Sequence, residues 1–223
     1  MATGRLSDAA SLVFGSMRAR RRAKKVAIGL VVLSMFVGAG MFAYPYATDV
    51  YSNFQQGELA DEFASPQFEA RFAAGKIEAG QVLTRIEIPK LKVNALIVEG
   101  TETKALRAGA GHYSRTPKPC QPGNVGIAGH RTTFGKPFNR IDELKAGDTI
   151  ILHLPDKAKC TYRVVEGARG APRPRAGSAA WVTLPSDYAV LNKLPGSMLT
   201  LTTCHPKGSA KERLVLRAEL VSA

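Results

Sequence analysis

The sequence predicts an all-β domain standing behind an apolar N-terminal helix. From Gln81 onward, eight short runs of alternating or wholly apolar residues recur between glycines and prolines, which points to a barrel or a sandwich. Before them, Val26 to Thr48 carries no charged residue. The charged fraction of 22% and apolar fraction of 45% over 223 residues suit one globular domain with appendages.

Residues 1–25 read as a short, disordered, basic cytoplasmic tail. Arg5, Arg18, Arg20, Arg21, Arg22, Lys24 and Lys25 stand there against Asp8, so about half of the net charge of +13 sits in the tail. The rest is spread thinly with acids between, and no nucleic-acid motif accompanies it, so nucleic acid is not an expected partner.

Residues 26–48 form the expected membrane span. A helix of about 22 residues rises roughly 33 Å, enough for a hydrocarbon core of about 30 Å. The basic block Arg18–Lys25 precedes it and Asp49 follows, which predicts a cytoplasmic N-terminus and an extracytoplasmic domain at the cell membrane. Tyr44, Tyr46 and Tyr51 cluster at the outer end, where amphipathic rings favour the interface. A cleaved signal peptide is the other reading, but the apolar stretch is longer than its apolar region usually is. A single-pass signal anchor is therefore expected.

Residues 49–80 are polar, with Phe54, Phe63, Phe68 and Phe72 scattered through them, and fit a helical stalk or a helix packed on the domain. Pro66 breaks or restarts that helix. The domain, residues 81–223, then reads as strands Leu83–Ile88, Val93–Val98, Asn124–Ala128, Thr149–Leu154, Thr161–Glu166, Ala180–Leu184, Met198–Thr203 and Arg213–Leu220. A short helix is expected over Lys104–Arg107, ended by Gly109 and Gly111. A second is expected over Asn139–Lys145, with Asn139 as its cap and Asp142 and Glu143 in its first turn. In the last strand Leu214, Leu216, Ala218 and Leu220 share one face, and Arg213, Val215, Arg217 and Glu219 the other.

Cys120, Cys160 and Cys204 contain no CxxC pair, which argues against a thiol-rich zinc site. No acidic cluster has calcium-loop spacing, and no metal or other cofactor is expected. Outside the cell an odd count permits one disulfide and one free thiol. Cys120–Cys160 bridged with Cys204 free is one arrangement, and three free thiols is the other.

Cys204 ends the apolar run SMLTLTTCHP, just before a loop opened by Pro206. A rigid strand thus positions a thiol that remains accessible, as a nucleophile needs, although most free cysteines are small buried hydrophobes. His130 ends the run GNVGIAGHR, where Gly126 and Gly129 allow close approach by another group. His112 lies in GAGHY, and on the residues alone both histidines stay open as proton partners. His153 sits opposite the apolar face of its strand, and His205, next to Cys204 on a strand, points away from it. Arg213 opens the last strand nine residues after Cys204, so two adjacent strands can bring the pair together.

TLTTC followed by a strand beginning with Arg resembles the sortase signature, and GNVGIAGHR resembles the sortase histidine segment. AGHRTTFGKPFNRIDELKAGDTI together with TLTTCHP is most similar to class E sortases of high-GC Gram-positive bacteria, with class D next. The resemblance covers roughly residues 81–223. It implies an eight-stranded sortase barrel and a cysteine transpeptidase that cuts an LPXTG- or LAXTG-type signal between Thr and Gly. Cys204, His130 and Arg213 would be catalytic, and Thr203 and His112 are weaker candidates for the substrate groove. The implied partners are surface proteins with C-terminal sorting signals and a peptidoglycan-precursor amine. The absence of Asp-Pro in residues 49–80, and of a further apolar stretch up to Ala223, favours general anchoring over pilin polymerisation. The Arg163–Trp181 loop is a candidate groove wall. An L,D-transpeptidase is disfavoured because no Ser-x-Gly-Cys occurs. A membrane-tethered, non-catalytic β-barrel module is the alternative to an enzyme.

Overall fold

In the computed structural model, residues 4–166 and 177–223 are described. The chain divides into a unit ending at Tyr44 and a unit Pro45–Ala223. Helix α1 (Gly4–Phe63) contributes to both. In the first unit it is long and apolar enough to cross a membrane, and Val31, Leu33, Phe36 and Phe42 are exposed along it. The basic segment expected as a disordered tail is helical from Gly4 on. Nothing in its sequence stops a helix before the apolar run, since neither Pro nor a helix-ending Gly intervenes between Met17 and Ile28.

In the second unit α1 ends at Phe63, and α2 (Pro66–Ala73) restarts behind a Ser65 cap whose Oγ accepts from Phe68 N at 3.2 Å. Leu59 and Phe68 pack with Val82, Leu96, Val98, Ala105 and Ala108, so this part of the stalk lies on the domain.

The domain is a closed barrel. Its strands are β1 (Val82–Ile88), β2 (Val93–Glu99), β3 (Ala110–His112), β4 (Gly123–Gly129), β5 (Thr149–His153), β6 (Lys159–Val164), β7 (Trp181–Thr183), β8 (Ser197–His205) and β9 (Glu212–Ser222). They are ordered β6-β5-β1-β2-β3-β4-β8-β9, and pairing of β6 with β9 closes the ring of eight. Short β7 pairs with the first part of β9 outside that ring. Two pairings are parallel, β2 with β3 and β4 with β8. Alternation decides the inside: Ile86, Ile97, Val125, Ile127, Ile150, Leu152, Leu199, Leu201, Leu214 and Leu216 fill one core.

Three details depart from the sequence reading. Ala110–His112, read as loop, is a barrel strand, and Trp181–Thr183, read as a barrel strand, flanks the ring instead. The expected Lys104–Arg107 helix is α3 (Thr103–Ala108), closed by Gly109. Asn139–Lys145 forms only a three-residue turn of 3-10 helix, Ile141–Glu143, with no side-chain cap. Asn139 is engaged elsewhere, its Nδ2 donating to Arg131 O at 2.6 Å.

Candidate active site

The site forms where β4, β8 and β9 run side by side. Leu199, Leu201, Leu214 and Leu216 point into the barrel, so Thr200, Thr202 and Cys204 face outward, as do Arg213, Val215 and Arg217. Cys204 is directly opposite Arg213 across the antiparallel β8–β9 pair. In the parallel β4–β8 pair Ala128 stands opposite Thr202, and extending that register past Gly129, where β4 ends, sets His130 level with Cys204. His130 just past the end of β4, Cys204 in β8 and Arg213 in β9 thus form one row, all half-buried. Cys204 is the free cysteine, because Cys120 and Cys160 are bridged, with Cα atoms 5.8 Å apart.

Each member of the row is held locally. Arg213 Nη1 donates to Ala210 O at 3.0 Å and to Glu212 O at 3.1 Å. A guanidinium carries five donors, so this anchorage leaves others for an incoming carbonyl. The His130 ring lies 5.0 Å from that of Phe134, and burial pushes it below the usual imidazole range. Gly129, just before it, is required by close packing: a Cβ there would stand 2.6 Å from Phe138 Cδ2.

The sequence reading missed Arg131. It is buried, yet it ties the segment after His130 to the end of β8. Its Nη1 donates to Cys204 O at 3.3 Å and to His205 Nδ1 at 2.8 Å, and its Nη2 pairs with Asp142 Oδ2 at 3.0 Å. Since arginine only donates, His205 Nδ1 is the acceptor in this contact. The sole sequence signal was an arginine adjoining the histidine motif.

Thr203 and His112 lie apart from the row. Thr203 faces away from the row, buried, with Oγ1 donating to Gly129 O at 2.7 Å, which locks β8 to β4. His112 is 1% exposed, with Nδ1 2.9 Å from Glu99 Oε2 and Nε2 2.9 Å from Pro117 O. It borders a separate cavity of about 870 Å³ shared with Phe72, Ile77 and Lys118. Burial pushes the Glu99 carboxyl up, but hydrogen bonds from His112 and Ser114 outweigh that and hold it below the usual range.

A covering layer continues from the row along β4 and β8. A Cβ on Gly126 would meet Leu191, Tyr113 and Thr116, and Tyr113 Oη lies 2.9 Å from Thr202 Oγ1. A cavity of about 670 Å³ adjoins this layer, lined by Tyr113, Arg115, Thr116, Tyr188 and Leu191. Arg217, on the same outward face as Arg213, stacks 5.1 Å over Trp181 and donates to Val190 O at 3.2 Å. Of the loop expected as a groove wall, residues 167–176 lie outside the described residues.

Residues 86–221 match the sortase domain family. This chain belongs to the sortase family. Among its sortase relatives, sortase SrtE1 of Streptomyces coelicolor is 31% identical over 225 residues, covering 92% of this chain and 60% of that protein. Sortase D of Bacillus subtilis is 31% identical over 153 residues, covering 67% of this chain and 69% of that protein. The sortase barrel is similar to the crystal structure of sortase E1 from S. coelicolor with a tripeptide in the active site, at 33% identity and TM-score 0.55, covering 65% of this chain and 91% of that one. It is also similar to a sortase D5 transpeptidase of Clostridium perfringens, at 28% identity and TM-score 0.62, covering 78% of this chain and 99% of that one.

Proposed function

We propose that this sortase is a membrane-anchored cysteine transpeptidase that cleaves an LPXTG- or LAXTG-type sorting signal between Thr and Gly and joins the Thr to a cell-wall amine. The observation that carries this reading is the row of His130 just past β4, Cys204 in β8 and Arg213 in β9. Cys204 Sγ attacks the Thr carbonyl carbon as its thiol proton passes to His130, and the carbonyl electron pair moves onto oxygen. Arg213, with its Nη1 anchored, donates to that oxyanion. Collapse breaks the Thr–Gly C–N bond, His130 protonates the departing amine, and a thioester remains on Cys204. An amine from a peptidoglycan precursor then attacks the thioester and His130 takes its surplus proton; collapse breaks the C–S bond, and His130 returns the proton to Sγ, restoring the thiol. The thioester retains much of the acyl group's reactivity, so no ATP enters the cycle.

The apolar stretch of α1 supports a membrane anchor, and the basic residues before it support a cytoplasmic N-terminus with the barrel outside. The Cys120–Cys160 bridge agrees with that side, because disulfides persist in oxidising compartments. Tethering raises the effective concentration of lipid-linked acceptor near the site.

The test is cleavage of a fluorogenic LAXTG peptide with an added amine, products read by mass spectrometry. Cys204→Ala abolishes turnover. His130→Ala lowers it by about 10²–10⁴-fold and Arg213→Ala by about 10²–10³-fold, the ranges for losing a proton-transfer group and an oxyanion donor. All three variants keep the parent's circular dichroism. Turnover by folded Cys204→Ala at the parent's rate ends the mechanism.

A further inference from the structure

The residues after His130 form an unusual turn. Phe134, Gly135 and Lys136 have φ of 49, 71 and 39°, three successive left-handed residues of which only one is glycine. Side chains rarely tolerate this conformation, and it persists where surrounding structure over-determines it. Successive left-handed residues turn neighbouring N–H groups to one side, which makes a concave anion site.

The stalk fills that site. Phe134 N donates to Thr48 Oγ1 at 3.3 Å, and Gly135 N donates to Asp49 Oδ1 at 3.0 Å. Lys136 Nζ pairs with the other Asp49 oxygen, Oδ2. The Tyr51 ring meets the Phe134 ring edge-on at 6.4 Å, and Phe134 in turn lies against His130. A Cβ on Gly135 would stand 3.0 Å from Ser52 Oγ, so the helix seats directly on the turn. The helix is itself fixed to the barrel: Ser52 Oγ donates to Ala108 O at 3.3 Å, Gln56 Nε2 to Ala108 O at 2.8 Å, and Leu96 N donates to Gln56 Oε1 at 2.7 Å. Thr48 is 6% and Ser52 1% exposed, so these are built contacts.

We propose that the Pro45–Phe63 part of α1 is a positioning strut for the catalytic histidine, in which Asp49 and Thr48 hold the 134–136 turn and, through the Phe134 ring, set where His130 stands relative to Cys204. Asp49 and Thr48 are positioning residues, since they touch neither substrate nor the reacting atoms. The stalk thereby joins the catalytic machinery instead of serving only as a spacer to the membrane. A barrel fragment beginning at residue 81 would lack the strut.

The inference rests on the proposed role of His130. The experiment uses the full chain in lipid nanodiscs with the fluorogenic peptide and amine. Asp49→Ala lowers kcat about tenfold while KM stays within about twofold, because a shifted proton-transfer group slows chemistry more than binding. Asp49→Asn, which keeps an oxygen acceptor for Gly135 N–H, recovers most of that loss. Thr48→Val shows the same kcat defect in milder form. Hydrogen exchange at the amides of Phe134 and Gly135 speeds up in Asp49→Ala, while strand amides of β8 do not change. Glu58→Ala, on the same helix and accepting a hydrogen bond from nearby Gln55, leaves kcat unchanged. If Asp49→Ala and Thr48→Val turn over like the parent beside an inactive Cys204→Ala, the strut is overturned and the transpeptidase reading stands. If Cys204→Ala remains active, that reading falls first.

Discussion

At the scale of single residues, His130 carries the clearest titration prediction. Its burial disfavours the imidazolium, so its folded pKa lies below the ordinary value of about 6.5. Between the two values the unfolded chain binds more protons than the folded one, so stability rises with pH in that window. The contribution of neutral His130 is therefore complete above about pH 6.5 and is lost as pH falls toward the folded pKa. Proton NMR of the His130 Cε1–H in Cys204→Ala, which removes coupling to the thiol, should give a midpoint below about 6.5. Phe134→Ala uncovers the ring and should raise that midpoint. A midpoint at or above the ordinary value would contradict the burial argument. Strand ends made Cys204, His130 and Arg213 candidates in the sequence, but the residues alone left His130 and His112 both open, and it was the resemblance of TLTTC and GNVGIAGHR to sortase motifs that singled out the trio. The sequence did not expose Arg131, whose bonds to Cys204 O and His205 depend on the turn after β4 folding back against the end of β8. Alternation turns Thr203 away from the row, and His112 is held between Glu99 and Pro117.

At the scale of elements, the long strands were legible because alternation over six or more residues is a strong pattern. Leu214, Leu216 and Ala218 face the core as that pattern requires. Ala110–His112 escaped because three small or polar residues carry no alternation; its strand state comes from lying parallel to Ile97–Glu99. The Asn139 helix shrank because the cap residue is used by Arg131 O and Lys207 instead. Glycines separate the two kinds of constraint. Gly129→Ala drives a methyl into the buried Phe138 ring, and overpacking of this kind costs about 1–3 kcal/mol. Gly57, exposed on α1 with nothing within 4 Å of an added Cβ, gains helix propensity as Ala, about 0.8–1 kcal/mol. Urea denaturation of the two variants should move the midpoint in opposite directions, and activity should fall only in Gly129→Ala, which adjoins His130.

At the scale of the whole molecule, the barrel keeps its two ends distinct. β4, β6 and β8 run in the same direction, because β6 and β8 are both antiparallel to β9 and β4 is parallel to β8. Cys160 lies near the start of β6 and Cys120 in the loop leading into β4, so the disulfide closes the end opposite Cys204. Nine residues of β8 separate the two ends, roughly 27–30 Å of strand. Cys120 packs on the core, and its N–H donates to Tyr162 Oη at 3.2 Å, so the loop caps the barrel there. The two cysteines are separated by 40 residues, and closing a loop of that size in the unfolded chain stabilises the fold by about 4 kcal/mol in the chain-entropy description. The Cys120→Ala, Cys160→Ala double variant should lose about 2–4 kcal/mol in urea denaturation. Its kcat at 25 °C should match the parent's if the proposed chemistry at Cys204, at the other end of the barrel, is independent of the cap. Alkylation of denatured, unreduced protein should label Cys204 alone, and after reduction all three cysteines. Labelling of all three before reduction would remove the cap from the argument, and a collapse of kcat in a still-folded double variant would show that the two ends are coupled.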